Sequence, residues 1–343
     1  MNALVTGGSG YFGSLLIRKL LDMNFNVGSL DINTTDLKNK NLIFHYCDIR
    51  DRENLINQTK NYDVVFHNVA QVPIAKNSKL FWEVNVEGTK NLCHACIENN
   101  IQKLVYTSSS AVYGVPKLNP VNEASKPVPG ESYGKAKLEG EKICKDFSKM
   151  GLKVTIIRPR TILGHGRLGI FSVLFDWIKE GVNIPVLNNG SNIYQFVHAA
   201  DLADACILAS KNNDQYSNYN IGSEDFGTMR QALENLCEYA NTGSKIYSLP
   251  RLPVELSIHF LSKLNLIPLA PYHALMYGRS LYFDISKAKK EIGYSPKFST
   301  RDMFQESYDW YLKNYSVLKN LKNKSAHNKP VNEALLKLLR IFR

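Results

Sequence analysis

Residues 3–13, ALVTGGSGYFG, decide the fold class of this chain. A short run with β-strand character leads into Gly7, Gly10 and Gly13, and a helical pattern begins immediately. In such a turn Gly7 permits the tight bend, Gly10 lets the backbone approach a pyrophosphate, and Gly13 permits close packing of helix on strand. The positive end of the following helix favours an anion at the same place. The stretch therefore predicts a dinucleotide site at the first strand of an α/β sheet.

The first half of the chain continues this alternation of strand and helix. Short apolar runs alternate with segments of helical length and period, which is the pattern of βαβ units in a parallel sheet. The predicted strands are residues 3–6, 26–30, 42–46, 64–67, 103–107 and 154–158, and the predicted helices are residues 11–23, 82–98 and 132–150. The sequence predicts a Rossmann fold, an α/β protein with a doubly wound parallel sheet.

An acidic residue indicates which dinucleotide binds. Asp31 follows the second predicted strand, about twenty residues past the glycine turn, where a carboxylate accepts hydrogen bonds from the adenosine ribose hydroxyls. The same carboxylate repels a 2′-phosphate, and no Arg or Lys follows it directly to neutralise one. The predicted cofactor is NAD.

After about residue 160 the alternation gives way to helix-rich stretches with Pro and Gly breaks. We predict an NAD-binding Rossmann domain over residues 1–160 and a smaller, helix-rich substrate-binding region over residues 161–315, with some returns to the sheet. Residues 316–343 are predicted to form a basic linker and an amphipathic C-terminal helix.

Composition and charge narrow the class of protein. The hydrophobic fraction is 44% and the charged fraction 21%, no run is long enough to span a membrane, and no signal peptide is evident. We therefore expect a cytoplasmic protein. Much of the net charge of +11 lies in residues 316–343, which hold seven basic residues against one acidic residue. Two roles stay open for this tail: peripheral contact with an anionic membrane, and packing on the chain itself or on a second subunit. We expect a homodimer and no nucleic-acid partner, because stacking aromatic residues do not alternate with the basic ones.

Two residues one helical turn apart predict acid/base chemistry. Tyr133 and Lys137 stand at i and i+4 on one helix face, where an ammonium can stabilise a phenolate. Ser109 lies in a serine-rich segment at the end of the fifth strand, the edge where doubly wound sheets bind ligands. Its hydroxyl can hydrogen-bond a substrate oxygen, and Ser108 is the alternative.

These motifs in this order resemble the extended short-chain dehydrogenase/reductase family of NAD-dependent epimerases and dehydratases. The resemblance covers roughly residues 1–313 and includes further segments at residues 48–51, 85–89, 196–203 and 283–288. It implies that Ser109 is the catalytic hydroxyl, that Tyr133 is the acid/base, and that Lys137 binds the nicotinamide ribose and lowers the pKa of the tyrosine. The implied cofactor-binding residues are Gly7, Gly10, Phe12 and Gly13 for the pyrophosphate, Asp31 for the ribose, Asp48 and Ile49 for the adenine, and Val69, Ala70 and Asn85 for the rest.

The resemblance leaves the reaction open. No acid directly follows Ser109, which disfavours dehydration and decarboxylation. The resemblance slightly favours a nucleotide-sugar epimerase. Two positions depart from that pattern: such epimerases commonly carry Asn and Arg there to bind the nucleotide phosphates, whereas this chain has Thr161 and Tyr194. The alternative is a reductase of the 3β-hydroxysteroid or flavonol type, which the apolar residues 256–269 and the basic tail would suit. A non-catalytic dinucleotide sensor is a remote third hypothesis.

Three other features are predicted to be structural. The CxxC pair Cys93 and Cys96 falls on the inner face of a helix, without a second pair to complete a zinc site. His198 and Arg158 are likewise interpreted as structural residues. We predict no metal site.

Overall fold

The computed structural model of the protein describes residues 1–71, 78–167, 169–263 and 278–319. The predicted C-terminal helix, with most of the basic tail, lies outside the described residues. So does part of the apolar segment 256–269.

Eleven strands and eleven α-helices lie in the described part of the chain. The strands are β1 (Asn2–Thr6), β2 (Asn26–Asp31), β3 (Leu42–Tyr46), β4 (Val64–His67), β5 (Lys103–Thr107), β6 (Lys153–Pro159), β7 (Thr161–Leu163), β8 (Ile184–Leu187), β9 (Phe196–His198), β10 (Tyr216–Ile221) and β11 (Ile246–Leu249). The helices are α1 (Tyr11–Asp22), α2 (Arg52–Gln58), α3 (Ser78–Trp82), α4 (Gly88–Glu98), α5 (Ser132–Lys149), α6 (Phe171–Lys179), α7 (Ala199–Ser210), α8 (Met229–Ala240), α9 (Arg251–Lys263), α10 (Ser286–Ile292) and α11 (Thr300–Lys319).

Seven strands form the main sheet, in the order β10-β6-β5-β4-β1-β2-β3. Every neighbouring pair in this sheet is parallel. The strand order reverses direction between β1 and β4, and ligands bind outside the carboxyl ends of the strands at such a point. The predicted doubly wound Rossmann fold is confirmed, and the glycine turn and the serine-rich segment lie at the same edge of the sheet.

The apolar pattern explains why these segments form the centre. Every residue of β4 is buried, as expected for a strand covered by helices on both faces. Helix α1 turns Leu16, Ile17 and Leu20 toward the sheet, and these side chains have no exposed surface. The glycine turn therefore lies on a closely packed apolar core.

One predicted helix has a different form. The segment predicted as a single helix over residues 82–98 is divided into α3, a π-helical segment (Glu83–Glu87) and α4. A π-turn inserts one residue without changing the apolar character of the sequence, so periodicity does not reveal it. Asn85 lies within this π-helical segment and is buried.

The second half of the chain builds a separate apolar core and also rejoins the sheet. Helices α6, α8 and α11 enclose buried residues that include Phe175, Leu233 and Phe304, beside two small sheets, β11-β8 and β7-β9. Strand β10 adds to the edge of the main sheet beside β6. None of the helices in the described ranges combines the length and apolar composition needed to cross a bilayer.

Candidate active site

The glycine turn has the geometry that a pyrophosphate requires. Gly7 has φ +70°, and a Cβ atom there would lie 3.0 Å from the backbone nitrogen of Val69. A Cβ atom on Gly13 would lie 2.1 Å from the carbonyl oxygen of Gly7, so only glycine fits. Helix α1 starts after Gly10 with no side-chain cap and no acidic residue in its first turn. Its first N–H groups are thus available to an anion, and these residues fit the phosphates of NAD.

Asp31 ends β2 beside this turn. Its carboxylate accepts hydrogen bonds from the backbone N–H groups of Ser9, at 3.1 Å, and Asn33, at 2.9 Å. The side-chain amide of Asn33 also donates to Asp31 Oδ1, at 3.3 Å, so Oδ2 is the oxygen with acceptor capacity left for a ribose hydroxyl. The turn and the predicted ribose ligand are therefore joined directly.

The proposed adenine end is formed by Asp48 and Ile49 after β3. Arg50 donates from Nε to Asp48 Oδ1 and from Nη2 to Asp48 Oδ2, and these hydrogen bonds lower the pKa of the carboxyl group. Ile49 is buried, and Gly88 of α4 packs so closely on it that a Cβ atom would lie 2.6 Å from the isoleucine side chain. The Asp48 carboxylate is thus held by Arg50, while Ile49 offers an apolar contact.

The loop after β4 carries Val69 and Ala70, and Asn85 fixes it. The buried Asn85 carboxamide accepts from the backbone N–H of Gln71 at 2.9 Å and donates to its carbonyl at 3.0 Å. Both ends of this side chain are therefore engaged by the loop. Asn85 thus fixes the position of the loop that carries Val69 and Ala70.

The two candidate serines face different surroundings. Ser108 is buried and donates to Glu141 Oε1 at 2.5 Å. Ser109 caps the short 3₁₀ turn (Ser110–Tyr113), its hydroxyl oxygen accepting from the N–H of Ala111 at 3.1 Å. The Ser109 O–H remains able to donate, whereas Ser108 is committed to a buried carboxylate.

Tyr133 lies in the first turn of α5, which Glu131 caps. The Glu131 carboxylate accepts from the N–H groups of Tyr133 and Gly134 at 2.6 and 2.7 Å. Burial raises the pKa of Tyr133 to about 12, while the polar Ser109 hydroxyl and the charge of Arg167 lower that pKa. The Ser109 hydroxyl thus affects the ionisation of Tyr133, and the phenol is protonated at neutral pH.

Lys137 is buried one turn further along α5. Its Nζ donates to the carbonyl of Thr107 at 2.9 Å and lies 4.9 Å from the centroid of the Tyr106 ring. Burial lowers the pKa of Lys137 to about 8. The lysine is held at the carboxyl end of β5, close to losing its charge at physiological pH.

A buried polar network supports the serine-rich segment from behind. Arg158 donates from Nε and Nη2 to the two oxygens of Glu141, at 2.9 and 2.6 Å, and from Nη1 to the Tyr113 hydroxyl at 2.7 Å. Tyr113 in turn donates to Asn220 Oδ1 of β10 at 2.9 Å. This arrangement agrees with the structural role predicted for Arg158.

The other features predicted to be structural also lie in packed surroundings. His198 caps α7 by accepting from the N–H of Ala200 and stacks on Phe298 with ring centroids 3.8 Å apart. Cys93 and Cys96 are completely buried on α4. Among the residues that the structure describes, no cluster of side chains could hold a metal ion.

Two arginines were not identified from the sequence. Arg167 has its guanidinium carbon 5.7 Å from the Tyr11 ring centroid, and it is the cation whose charge lowers the pKa of Tyr133. Arg160 is buried and donates to the Ser110 hydroxyl at 2.9 Å. Their partners lie far apart along the chain, and no local motif marks them.

Comparisons with known proteins agree with this geometry. Residues 3–222 match the family described as "NAD dependent epimerase/dehydratase family". The chain is 51% identical to "Uncharacterized protein y4nG" of Sinorhizobium fredii, a match that covers 98% of this chain and 85% of the relative. It is 27% identical to UDP-glucose 4-epimerase 2 of rice, over 95% of this chain and 86% of that protein. A solved structure of UDP-glucose 4-epimerase from Thermotoga maritima, with UDP-glucose, has the same fold, with a TM-score of 0.77 and 24% identity over 92% of this chain and 100% of that one.

Proposed function

The chain belongs to the NAD dependent epimerase/dehydratase family, and we propose that it is a nucleotide-sugar epimerase with Ser109, Tyr133 and Lys137 at its catalytic centre. The observation that carries this proposal is the position of Lys137, one helical turn after Tyr133 on α5, which donates to the carbonyl of Thr107 at the carboxyl end of β5, two residues before Ser109. Tyr133 and Ser109 can hold and deprotonate a ring hydroxyl at the edge where the glycine turn lies.

The residues divide the proton chemistry between them. NAD bound along these residues would supply the acceptor and donor of the hydride at the carbon that bears the hydroxyl, and its oxidised form would add a positive charge to the site. Tyr133 accepts the hydroxyl proton as the alcohol is oxidised and gives it back on reduction. Ser109 donates a hydrogen bond to the same substrate oxygen, since its own oxygen already accepts from Ala111. Arg167 supplies a positive charge that favours the phenolate, and Lys137 lies one helical turn further along α5, where it would contact the nicotinamide ribose.

The cofactor site is proposed along the residues that the sequence singled out. Its pyrophosphate end would lie at Gly7, Gly10, Phe12 and Gly13, its ribose at Asp31, and its adenine at Asp48 and Ile49, with Val69, Ala70 and Asn85 along the remainder. The division of the chain near residue 160, the homodimer and the membrane contact of the tail also remain proposals.

We favour epimerisation over dehydration because Ser110 and Ala111 follow Ser109, so no acid stands beside the proposed catalytic hydroxyl. Steroid reduction stays the alternative, since the chain is 27% identical both to the rice UDP-glucose 4-epimerase 2, over 95% of this chain, and to a 3beta-hydroxysteroid-dehydrogenase/decarboxylase of Arabidopsis thaliana, over 89%. The greater coverage slightly favours the epimerase. One observation counts against an epimerase. Thr161 and Tyr194 replace the Asn and Arg that commonly bind the nucleotide phosphates, and their hydroxyl groups are hydrogen-bonded to each other at 2.7 Å.

The test is turnover of UDP-glucose and UDP-galactose without added cofactor, followed by NMR, with bound NAD quantified by mass spectrometry. We expect Tyr133→Phe and Ser109→Ala to lower kcat by about 10²- to 10⁴-fold with NAD content unchanged. Tyr46→Phe, on the exposed end of β3, is the matched control. Full activity of Tyr133→Phe would overturn the catalytic assignment. Stoichiometric NADH consumption with a 3β-ketosteroid, and no turnover of UDP-sugars, would overturn the epimerase.

A further inference from the structure

Arg160 lies next to the proposed catalytic serine segment. It follows the last residue of β6, at the carboxyl end of the sheet, and its side chain is only 1% exposed. Its Nη1 donates to the hydroxyl of Ser110, the residue next to Ser109, at 2.9 Å. The guanidinium thus binds the residue that directly follows Ser109, the proposed catalytic serine.

Two aromatic rings hold the plane of this guanidinium. Its carbon lies 4.7 Å from the Tyr194 ring centroid and 5.6 Å from that of Phe283. Stacking on these faces fixes the side chain while leaving the N–H groups, which lie in its plane, for hydrogen bonding.

One edge of this fixed guanidinium has no partner. Arg160 Nε and Nη2 are shielded from solvent and make no hydrogen bond. No salt bridge of Arg160 to a carboxylate occurs among the described residues, where Arg158 offers a direct contrast. In Arg158 the same two nitrogens bind the two oxygens of Glu141 at 2.9 and 2.6 Å. A buried guanidinium edge without such an anion is strongly unfavourable.

We propose that the Nε–Nη2 edge of Arg160 binds two anionic oxygens of the substrate, as the same edge of Arg158 binds Glu141. This inference rests on the proposed function, because it names the substrate group that the site recognises. The parallel N–H groups of this edge match a carboxylate or a phosphate. The oxygens come either from a carboxylate on the sugar ring or from the diphosphate that joins sugar and nucleotide.

Binding has to uncover this edge, because it is closed to water in the ligand-free chain. In this chain Arg160 would then bind the substrate anion in place of the arginine that such epimerases commonly carry at the position of Tyr194.

The experiment measures dissociation constants of UDP, UDP-glucose and UDP-glucuronate for the NAD-loaded full chain by calorimetry. The variants are Arg160→Met, which keeps the length but removes the charge, and Arg160→Lys, which keeps the charge but removes the parallel donors. Arg18→Met, on the exposed face of α1, is the matched control. The thermal midpoint of each ligand-free protein is recorded as well.

We expect Arg160→Met to weaken binding by about 10- to 100-fold, as for loss of charge-assisted hydrogen bonds, and Arg18→Met to leave it unchanged. Equal weakening for all three ligands assigns the edge to the diphosphate, and weakening for UDP-glucuronate alone assigns it to a ring carboxylate. The ligand-free Arg160→Met protein should be at least as thermally stable as the wild type, because it loses an unpaired buried charge.

Affinities within twofold of the wild type for every ligand, combined with a lowered thermal midpoint, would show a purely structural arginine and overturn the inference. If Arg160→Met does not fold, Arg160→Lys decides in the same way. Failure of the wild type to bind any of the three ligands would instead refute the proposed function, and this inference with it.

Discussion

Burial of Lys137 should make the cofactor-free protein less stable than it would be with an uncharged side chain at that position. Burial lowers the pKa of this lysine from 10.5 to about 8, and its side chain is 3% exposed. At about 1.4 kcal/mol for each tenfold change in proton affinity, this difference corresponds to about 3 kcal/mol. We expect Lys137→Met to raise the free energy of unfolding at pH 7 by about 1–3 kcal/mol, because the lost hydrogen bond to Thr107 offsets part of the gain.

The effect has a defined pH dependence. The folded protein binds fewer protons at Lys137 than the unfolded chain between about pH 8 and pH 10.5, so the stability of the wild type rises with pH in that window. The full cost of burying the charged lysine lowers the free energy of unfolding below about pH 8, and this cost disappears above about pH 10.5. The difference between Lys137→Met and the wild type should therefore shrink steadily across this window.

The assay is urea unfolding of cofactor-stripped protein, followed by circular dichroism at pH 7 and at pH 9.5. Lys135→Met is the matched control, since Lys135 is exposed on the same helix, and it should change stability by less than about 0.5 kcal/mol at either pH. Turnover of Lys137→Met should fall sharply at the same time. A Lys137→Met protein that is less stable than the wild type at pH 7, with no pH dependence, would refute this reasoning.

Three further predictions follow from individual contacts. Gly13→Ala should weaken NAD binding by at least about tenfold, measured by fluorescence titration, because its Cβ atom would lie 2.1 Å from the carbonyl oxygen of Gly7. Glu141→Gln should lower the free energy of unfolding in urea by about 3–5 kcal/mol, because it leaves Arg158 buried without its counter-charge. Asp31→Asn should reduce the preference for NAD over NADP, in paired titrations, by about tenfold, because it removes a charge that repels the 2′-phosphate.

Each of these variants has an outcome that would count against it. Unchanged NAD affinity of Gly13→Ala would show that the turn can relax. Glu139→Gln, on the same helix but half exposed beside Lys142, is the control for Glu141→Gln, and equal effects of the two would contradict the role of burial. An unaltered cofactor preference of Asp31→Asn would place the ribose elsewhere.

The parts of the fold that could be predicted from the sequence are those with local causes. The glycine turn and the apolar strands obey short-range rules of backbone geometry and period, and the bounds of β3, β4 and β5 agree with the predicted ones. The π-helical segment around Asn85 was missed, because one inserted residue leaves the polarity pattern intact.

The candidate site was predictable only where a residue acts through its own position in the chain. Tyr133 and Lys137 are related by one helical turn, which a sequence displays directly. The different surroundings of Ser108 and Ser109 depend on Glu141, and those of Arg160 on Tyr194 and Phe283. Such long-range contacts arise from packing and carry no local signal.

The pairing of β10 with β6 restricts how this chain can be shortened or recombined. Six residue pairs join the two strands, and Asn220 of β10 accepts a hydrogen bond from the Tyr113 hydroxyl. A fragment that ended near residue 160 would leave β6 as an unpaired edge, open to strands from other copies, and should aggregate on expression. A hybrid with a relative would therefore have to carry residues 1–221 from one parent, because the two halves of this enzyme share a single sheet.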